Sequence, residues 1–230
     1  MALDVTDETS MVEAVDRVVG EAGAVGVLVN NAGYGQEGPM EEVSMADLRR
    51  QFETNVFGAV RLIQLALPGM REQRWGRIVN MSSMGGRLTF PGGGAYHASK
   101  YALEALSDAL RFEVRRFGVN VVLVEPGAIK TEFGDTAVAS IEEAAAEGPY
   151  KEFSIGLAKK VASAYEGPLS RMAVGPEAVA KVVEKAITSS HPKARYSVTA
   201  GAKLTIRTRW LLPDRAWDAL MRTQFPSPKP

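Results

Sequence analysis

Apolar residues run almost without interruption through Val25–Val29 and Val119–Val124, and Arg77–Asn80 reads as a further strand. Such runs lack the in-and-out alternation of a half-solvated strand; they are the pattern of strands covered on both faces of a parallel sheet. Between them the period changes. Val12, Val15, Val18 and Val19 recur at helical spacing before Gly20 and Gly23 end the run. A longer helical region opens at Ser44, with Asp47 three residues on as a capping partner, and continues to about Gln73. Gly92-Gly93-Gly94 make a flexible loop, and the Ala/Leu/Glu-rich run through Tyr96 and Leu106 reads as the next helix. Gly175-Pro176-Glu177 starts another, to about Ser189, with proline in its first turn. Arg195–Thr199 reads as a last strand, Pro213–Phe225 as a terminal helix with Trp217, Leu220 and Met221 on one side, and residues 226–230 as a frayed tail. At the other end Ala2–Val5 is a short strand-like piece, and Thr6 or Asp7 can cap the helix after it. This alternation predicts right-handed βαβ units: an α/β chain, doubly wound about one parallel sheet, in a single domain spanning residues 1–230.

From Ala128 to about Ala173 the pattern loosens. Phe133, Tyr150, Phe153, Ile155, Leu157, Tyr165 and Met172 follow no clean period and are interrupted by Gly148-Pro149 and Gly167-Pro168. Irregular segments of such length inside a compact domain are usually functional.

Composition refines this picture without redirecting it. The 230 residues are 46% hydrophobic, enough for one sizeable core, and 27 basic residues balance 27 acidic ones. A formal net charge of zero gives no electrostatic case for nucleic acid or an anionic membrane. The absence of cysteine excludes disulfides and thiolate chemistry and fits a reducing cytoplasm. No run reaches the length of a membrane span, and a start carrying Asp4, Asp7 and Glu8 is no signal peptide. A soluble cytoplasmic enzyme is the expectation. Two separated histidines, His97 and His191, offer little basis for a metal.

The candidate chemistry centres on Tyr96 and Lys100, four residues apart and therefore on one helix face. A free phenol, with a pKa of roughly 10, is too weak an acid to serve as a base near neutrality. A fixed ammonium a few ångström away favours the phenolate and brings it toward the working range. The competing reading is an aromatic packed beside a helix and a solvated lysine. What sets this pair apart is its company in chain order. Upstream stand Asn30-Asn31-Ala32-Gly33, Asn55 within a helical run, and Asn80-Met81-Ser82-Ser83 at a strand end; downstream stands Pro126-Gly127-Ala128-Ile129-Lys130-Thr131. Ser83 precedes Tyr96 by thirteen positions. In this order and spacing the series resembles the classical short-chain dehydrogenases/reductases, over nearly the whole chain from Leu3 to about Phe225.

The resemblance implies a Rossmann-like fold and a role for each residue. Tyr96 would donate and accept the proton, Lys100 would tune it and bind the nicotinamide ribose, and Ser83 would hold the substrate oxygen. Asn55 would link Lys100 to bulk water through a proton relay; an asparagine inside a helix needs a partner in any case. Ser82 is one residue out of register, and His97 occupies a variable position. The cofactor would be NAD or NADP. The Asp4 carboxylate and Val5 amide would meet the adenine, Asn30, Ala32 and Gly33 would line the adenosine side, and Pro126, Gly127, Ile129 and Thr131 would hold the nicotinamide end. Asp4 has a plainer reading as a helix cap. In the family the segment at 128–173 is the substrate lid, and its apolar content implies an apolar alcohol or carbonyl substrate. A homodimer or homotetramer, packed through the helices carrying Asn55 and Tyr96, is implied as well.

One part of the family pattern is not met. The family opens with a strand, a Thr-Gly-x-x-x-Gly-x-Gly turn, a helix and a second strand, and the turn holds the cofactor phosphates. Here the chain opens at what would be the third strand, so the expectation is a sheet truncated at its N-terminal side, with the start codon assigned too far downstream and weak or no activity. Gly33-Tyr34-Gly35-Gln36-Glu37-Gly38 matches Gly-x-Gly-x-x-Gly, with Glu53 twenty residues on, but Pro39 follows at once and no helix opens on the glycines. It is not a phosphate loop. Without the first strand, Val25–Val29 would present an open edge, and either Ala2–Val5 moves into the slot or another chain covers it. Two other functions compete with an oxidoreductase: a non-catalytic scaffold that keeps the fold, and a sugar-nucleotide epimerase or dehydratase, against which the short chain argues.

Overall fold

A computed structural model describes residues 1–144, 148–166 and 173–227. Strands β1 (Val27–Asn30), β2 (Gly76–Met81), β3 (Val119–Glu125) and β4 (Arg195–Ser197) form one parallel sheet in the order β1-β2-β3-β4. The nine helices among the described residues are α1 (Glu8–Ala22), α2 (Met45–Phe52), α3 (Gly58–Glu72), α4 (Gly94–Val114), α5 (Phe133–Ala144), α6 (Lys151–Glu166), α7 (Pro176–Thr188), α8 (Ala200–Leu211) and α9 (Asp214–Gln224).

Alternation along the strands explains their unbroken apolar runs. Ile78, Val119 and Val121 face Met11 and Val15 of α1, Leu62, Ile63 and Met70 of α3, and Val114 of α4. Their neighbours Val79, Val122 and Val124 turn the other way, onto Val179, Val182, Val183 and Ala186 of α7. Both faces are therefore covered, and the buried polar residues of these strands, Arg77, Asn80 and Glu125, bond to protein groups. The architecture is doubly wound α/β. The local signals at the helix starts are also used: Ser44 Oγ accepts from Asp47 N–H at 3.0 Å while donating to the Asp47 carboxylate at 2.6 Å. Asp7 rather than Thr6 caps α1, accepting from Thr9 N–H. Between α2 and α3 the helix widens into a π turn over Glu53–Phe57, a feature that tends to mark functional positions.

Three expectations are corrected. Ala2–Val5 does not join the sheet: among the described residues β1 pairs only with β2, and Leu3 is 45% exposed. The reason is local. Asp4 Oδ1 accepts from both the Thr6 N–H at 2.8 Å and the Thr6 hydroxyl at 2.7 Å, folding the segment into a turn that feeds α1. Val5 then packs on the α1–α3 side of the core beside Leu28. Second, β1 is not covered on both faces; Val29 is 38% exposed at the sheet edge. Third, the loosened stretch after Ala128 contains α5 and α6, which pack together through Ile141, Phe153, Leu157 and Ala158. Their apolar residues serve two surfaces, each other and the cavity described below, which blurs the single stripe that periodicity detects. Met172 and Gly167-Pro168 lie outside the described residues. Helix α8 carried no signal either: its threonines return hydroxyl bonds to the preceding turn, Thr205 to Gly201 O and Thr208 to Leu204 O, and Thr199 caps it.

Candidate active site

The carboxyl ends of the strands, α4 and the α5–α6 pair enclose a cavity of about 940 Å³. Parallel strands place all their carboxyl ends at one side, so the loops after β1, β2 and β3 meet there. From β2 come Met81, Ser82 and Ser83; from α4 come Tyr96, His97 and Lys100; from the loop after β3 come Pro126, Gly127, Ile129 and Thr131. Phe90, Phe133, Leu157, Val161 and Phe225, with Val179, Val183 and Ile187 of α7, make most of the remaining wall apolar, and Glu184 of α7 also borders it.

Lys100 is 5% exposed and turned inward, its Nζ donating to the Met81 carbonyl at 2.9 Å. That bond ties the helix to the last residue of β2. The same Nζ lies 5.8 Å from the centre of the Tyr96 ring. Tyr96, 8% exposed, is wedged against Phe133 with ring centres 5.3 Å apart. Ser83 caps the short turn Met84–Gly86, its Oγ accepting from Gly85 N–H at 3.0 Å, and the same hydroxyl interacts with the Tyr96 phenol. Cap and site residue are thus one side chain.

Asn55 sits in the π turn, 1% exposed. Its Oδ1 accepts from Tyr34 N–H at 3.1 Å, and its Nδ2 donates to Tyr34 O and to Ser99 Oγ, each at 3.0 Å. Gly33 is the spacer between Asn55 and Lys100. A Cβ there would meet Asn55 Oδ1 at 2.9 Å and Lys100 Nζ at 3.4 Å. Asn55 makes no direct bond to Lys100 and reaches its neighbourhood only across that glycine.

Burial sets the electrostatics. It pushes the Tyr96 phenol well above the ordinary range of tyrosine, against a smaller downward pull from Ser83; Lys100 is not among the groups that lower it. Burial also brings Lys100 down to about 8 and His97 down to about 4. The expected depression of the phenol by a nearby ammonium is therefore not what this site does. Desolvation of both groups outweighs their mutual attraction. His97 has a packing role, its Nδ1 accepting from Phe90 N–H at 3.2 Å.

The other sequence-derived candidates part company. Gly33, Pro126, Gly127, Ile129 and Thr131 line the cavity with Tyr96, Ser83 and Lys100, whereas Asp4, Val5, Asn30 and Ala32 do not. Asn30 is turned into the sheet, donating to Asn80 Oδ1 at 2.8 Å, and Asn80 in turn donates to Ser107 Oγ on α4 at 2.8 Å. Asn31 takes the cavity-facing place. Residues given no role by sequence reasoning are Glu37, Lys160 and Glu184, all on the wall, which Tyr165 joins from the lid segment. Glu37 lies inside the glycine pattern dismissed as a phosphate loop; an acid among glycines after a buried strand was the available signal. Among the described residues no cluster of metal-binding side chains occurs, and no helix is long and apolar enough to cross a membrane.

Comparison with known proteins agrees with this geometry. A family model described as short chain dehydrogenase matches residues 1–142. The uncharacterised oxidoreductase YbbO of Escherichia coli K12 is 40% identical over 216 residues, covering 91% of this chain and 74% of that protein. The NADPH-dependent 3-dehydrocapnine reductase of Ornithobacterium rhinotracheale is 37% identical over 227 residues, covering 96% and 78%. Among solved structures, a short-chain dehydrogenase/reductase from Burkholderia phymatum in complex with NAD superposes with a TM-score of 0.75 at 25% identity, covering 100% of this chain and 79% of that one.

Proposed function

The chain belongs to the short-chain dehydrogenase family, and from that premise we propose that it interconverts an alcohol and a ketone or aldehyde on an apolar substrate, with NAD or NADP as hydride carrier. The observation that carries this reading is the convergence of Tyr96, Ser83 and Lys100 on one side of a mainly apolar cavity at the carboxyl ends of the strands.

The residues present fit the nicotinamide half of the cofactor. Gly33 leaves room beside Asn55 and Lys100 that a Cβ would take, and Pro126–Thr131 borders the same space. When bound, the nicotinamide supplies or takes up the hydride. The side chains handle the proton. A phenol held neutral by burial is the form that can give a proton to a carbonyl oxygen, which favours the reductive direction. Ser83 would hold that oxygen beside the phenol. Lys100, brought down to about 8, can release and regain a proton near neutral pH and so restore the phenol. Asn55 would hold the Gly33–Tyr34 loop against α4 and keep the relay path to water in place.

Asp4, Val5 and Ala32 would lie toward the adenosine side of the cofactor. The α5–α6 pair would act as the cover over the substrate. Exposed Phe57, Tyr101, Leu106 and Phe112 around α4 support pairing of copies into a homodimer or homotetramer.

Tyr96→Phe tests the reading. Turnover of an alkyl ketone should fall by about 10²–10⁴-fold, the range of a general acid, while NADPH or NADH affinity by calorimetry stays in place. Unchanged turnover would remove the phenol from the mechanism. A chain that binds neither nucleotide would overturn the oxidoreductase reading and favour a scaffold.

A further inference from the structure

Glu37 lines the cavity wall and belongs to none of the roles above. Its backbone is fixed on both sides. The Glu37 N–H donates to Ser140 Oγ on α5 at 3.0 Å, and the preceding Gln36 N–H donates to the Oε1 of fully buried Gln51 at 2.6 Å. The side chain therefore leaves a clamped backbone rather than a slack loop. Protein surrounds the carboxyl closely enough that burial moves it up to about 7, yet the residue keeps accessible surface, because the side left open is the cavity. It lies within electrostatic reach of two phenols, raising both Tyr96 and Tyr165. Among the described residues no cation or donor offsets that burial. The two lysines on the cavity wall are engaged elsewhere: Lys100 with the Met81 carbonyl, and Lys160 over the Phe225 ring at 5.6 Å.

A carboxylate withdrawn from water without a counter-charge is costly, and fixed sites of this kind are stable when a ligand brings the missing charge. In an apolar enclosure that attraction is far stronger than in water. We propose that Glu37 is a specificity-determining residue that receives an ammonium group borne by the substrate close to the reacting carbonyl, so that the substrates are apolar amino ketones and the products amino alcohols. The inference rests on the oxidoreductase reading for its reaction and on Glu37 alone for its charge preference. A neutral hydroxyl would satisfy the carboxyl only as a hydrogen-bond donor; the ammonium supplies both donor and charge.

Octylamine and octan-1-ol, titrated calorimetrically into the full chain at about pH 8, read the preference directly. Octylamine should bind about tenfold more tightly or better, equivalent to about 1.4 kcal/mol. Glu37→Gln should erase that difference while leaving octan-1-ol binding unchanged. Equal affinities in the wild type, or a preference that survives Glu37→Gln, would overturn the proposal. If the variant loses its circular dichroism, the wild-type pair of titrations decides alone. The reaction is then followed by NADPH consumption with an alkyl ketone and its α-amino analogue. A preference of about tenfold or more in kcat/KM for the amino ketone is the result expected from the same charge term. Equal turnover of the two ketones would sink the inference and leave the oxidoreductase reading standing. No turnover of either, with the amine preference intact, would overturn the oxidoreductase reading and leave Glu37 as an ammonium site.

Discussion

Lys100 and Glu37 are two buried ionisable groups on one cavity, supported in opposite ways. Lys100 stands at the end of β2, where the Met81 carbonyl receives its ammonium and α4 carries its stem. Glu37 stands on the loop after β1, where the main chain is clamped and the carboxyl is left without a partner among the described residues. The sheet end thus comes with its own polar complement, while the loop wall offers a charge that protein groups do not answer. The contrast separates machinery from recognition. On the proposed mechanism, the group that would exchange protons in every cycle is held by the fold, and the group that would read the substrate is left open to it.

Substitutions can break this contrast. The largest effect is expected from Lys100→Met, which should lower turnover by about 10²–10⁴-fold, as removal of a positioned proton carrier does. Its unfolding free energy should stay near that of the wild type, because the variant also removes the cost of burying an ammonium. Chemical denaturation showing a loss of about 3 kcal/mol or more would instead make the Lys100–Met81 bond a structural one.

Glu37→Gln comes next. In the folded chain Glu37 keeps its proton up to about 7, whereas in the unfolded chain it gives it up near the ordinary value of 4.5. The native state therefore binds more protons through this window, and wild-type stability falls as pH rises from 4.5 to about 7. The glutamine variant lacks that loss. Urea midpoints for the two chains should coincide below pH 4.5 and favour the variant at pH 8 by about 1–3 kcal/mol. A variant that is less stable at pH 8 would mean that Glu37 has a native partner. The smallest effect belongs to Ser140→Ala, which removes the anchor of the Glu37 N–H. It should cost about 0.5–1.5 kcal/mol by urea unfolding and reduce the octylamine preference without abolishing it. An unaltered preference would show that the carboxyl needs no clamp.

What could be read from the residues follows from how each region is covered. Strands β2 and β3 were legible because Ile78–Val79 and Val121–Val124 put apolar residues on both faces, and α2 was legible because Ser44 and Asp47 carry a capping signal that needs no tertiary help. The Tyr96 face was legible from its spacing to Lys100 and Ser83, and these residues do meet in space. The state of the phenol was not. A sequence puts Lys100 near Tyr96 but does not weigh desolvation, which moves the two pKa values in opposite directions and here dominates. The α5–α6 pair escaped because its apolar residues are divided between two surfaces. Ala2–Val5 looked like a strand because its turn depends on one carboxylate, Asp4, closing on Thr6. Asn30 was read as a cofactor contact, and its side-chain nitrogen is found donating to Asn80.

The uncovered flank of β1 has a further consequence. Its main-chain N–H and C=O groups point along the plane of the sheet, and a strand laid against them in the same sense as β2 would finish beside Asn31–Gly33, at the cavity mouth. Growth of the sheet by one strand would therefore also extend the wall of the cavity.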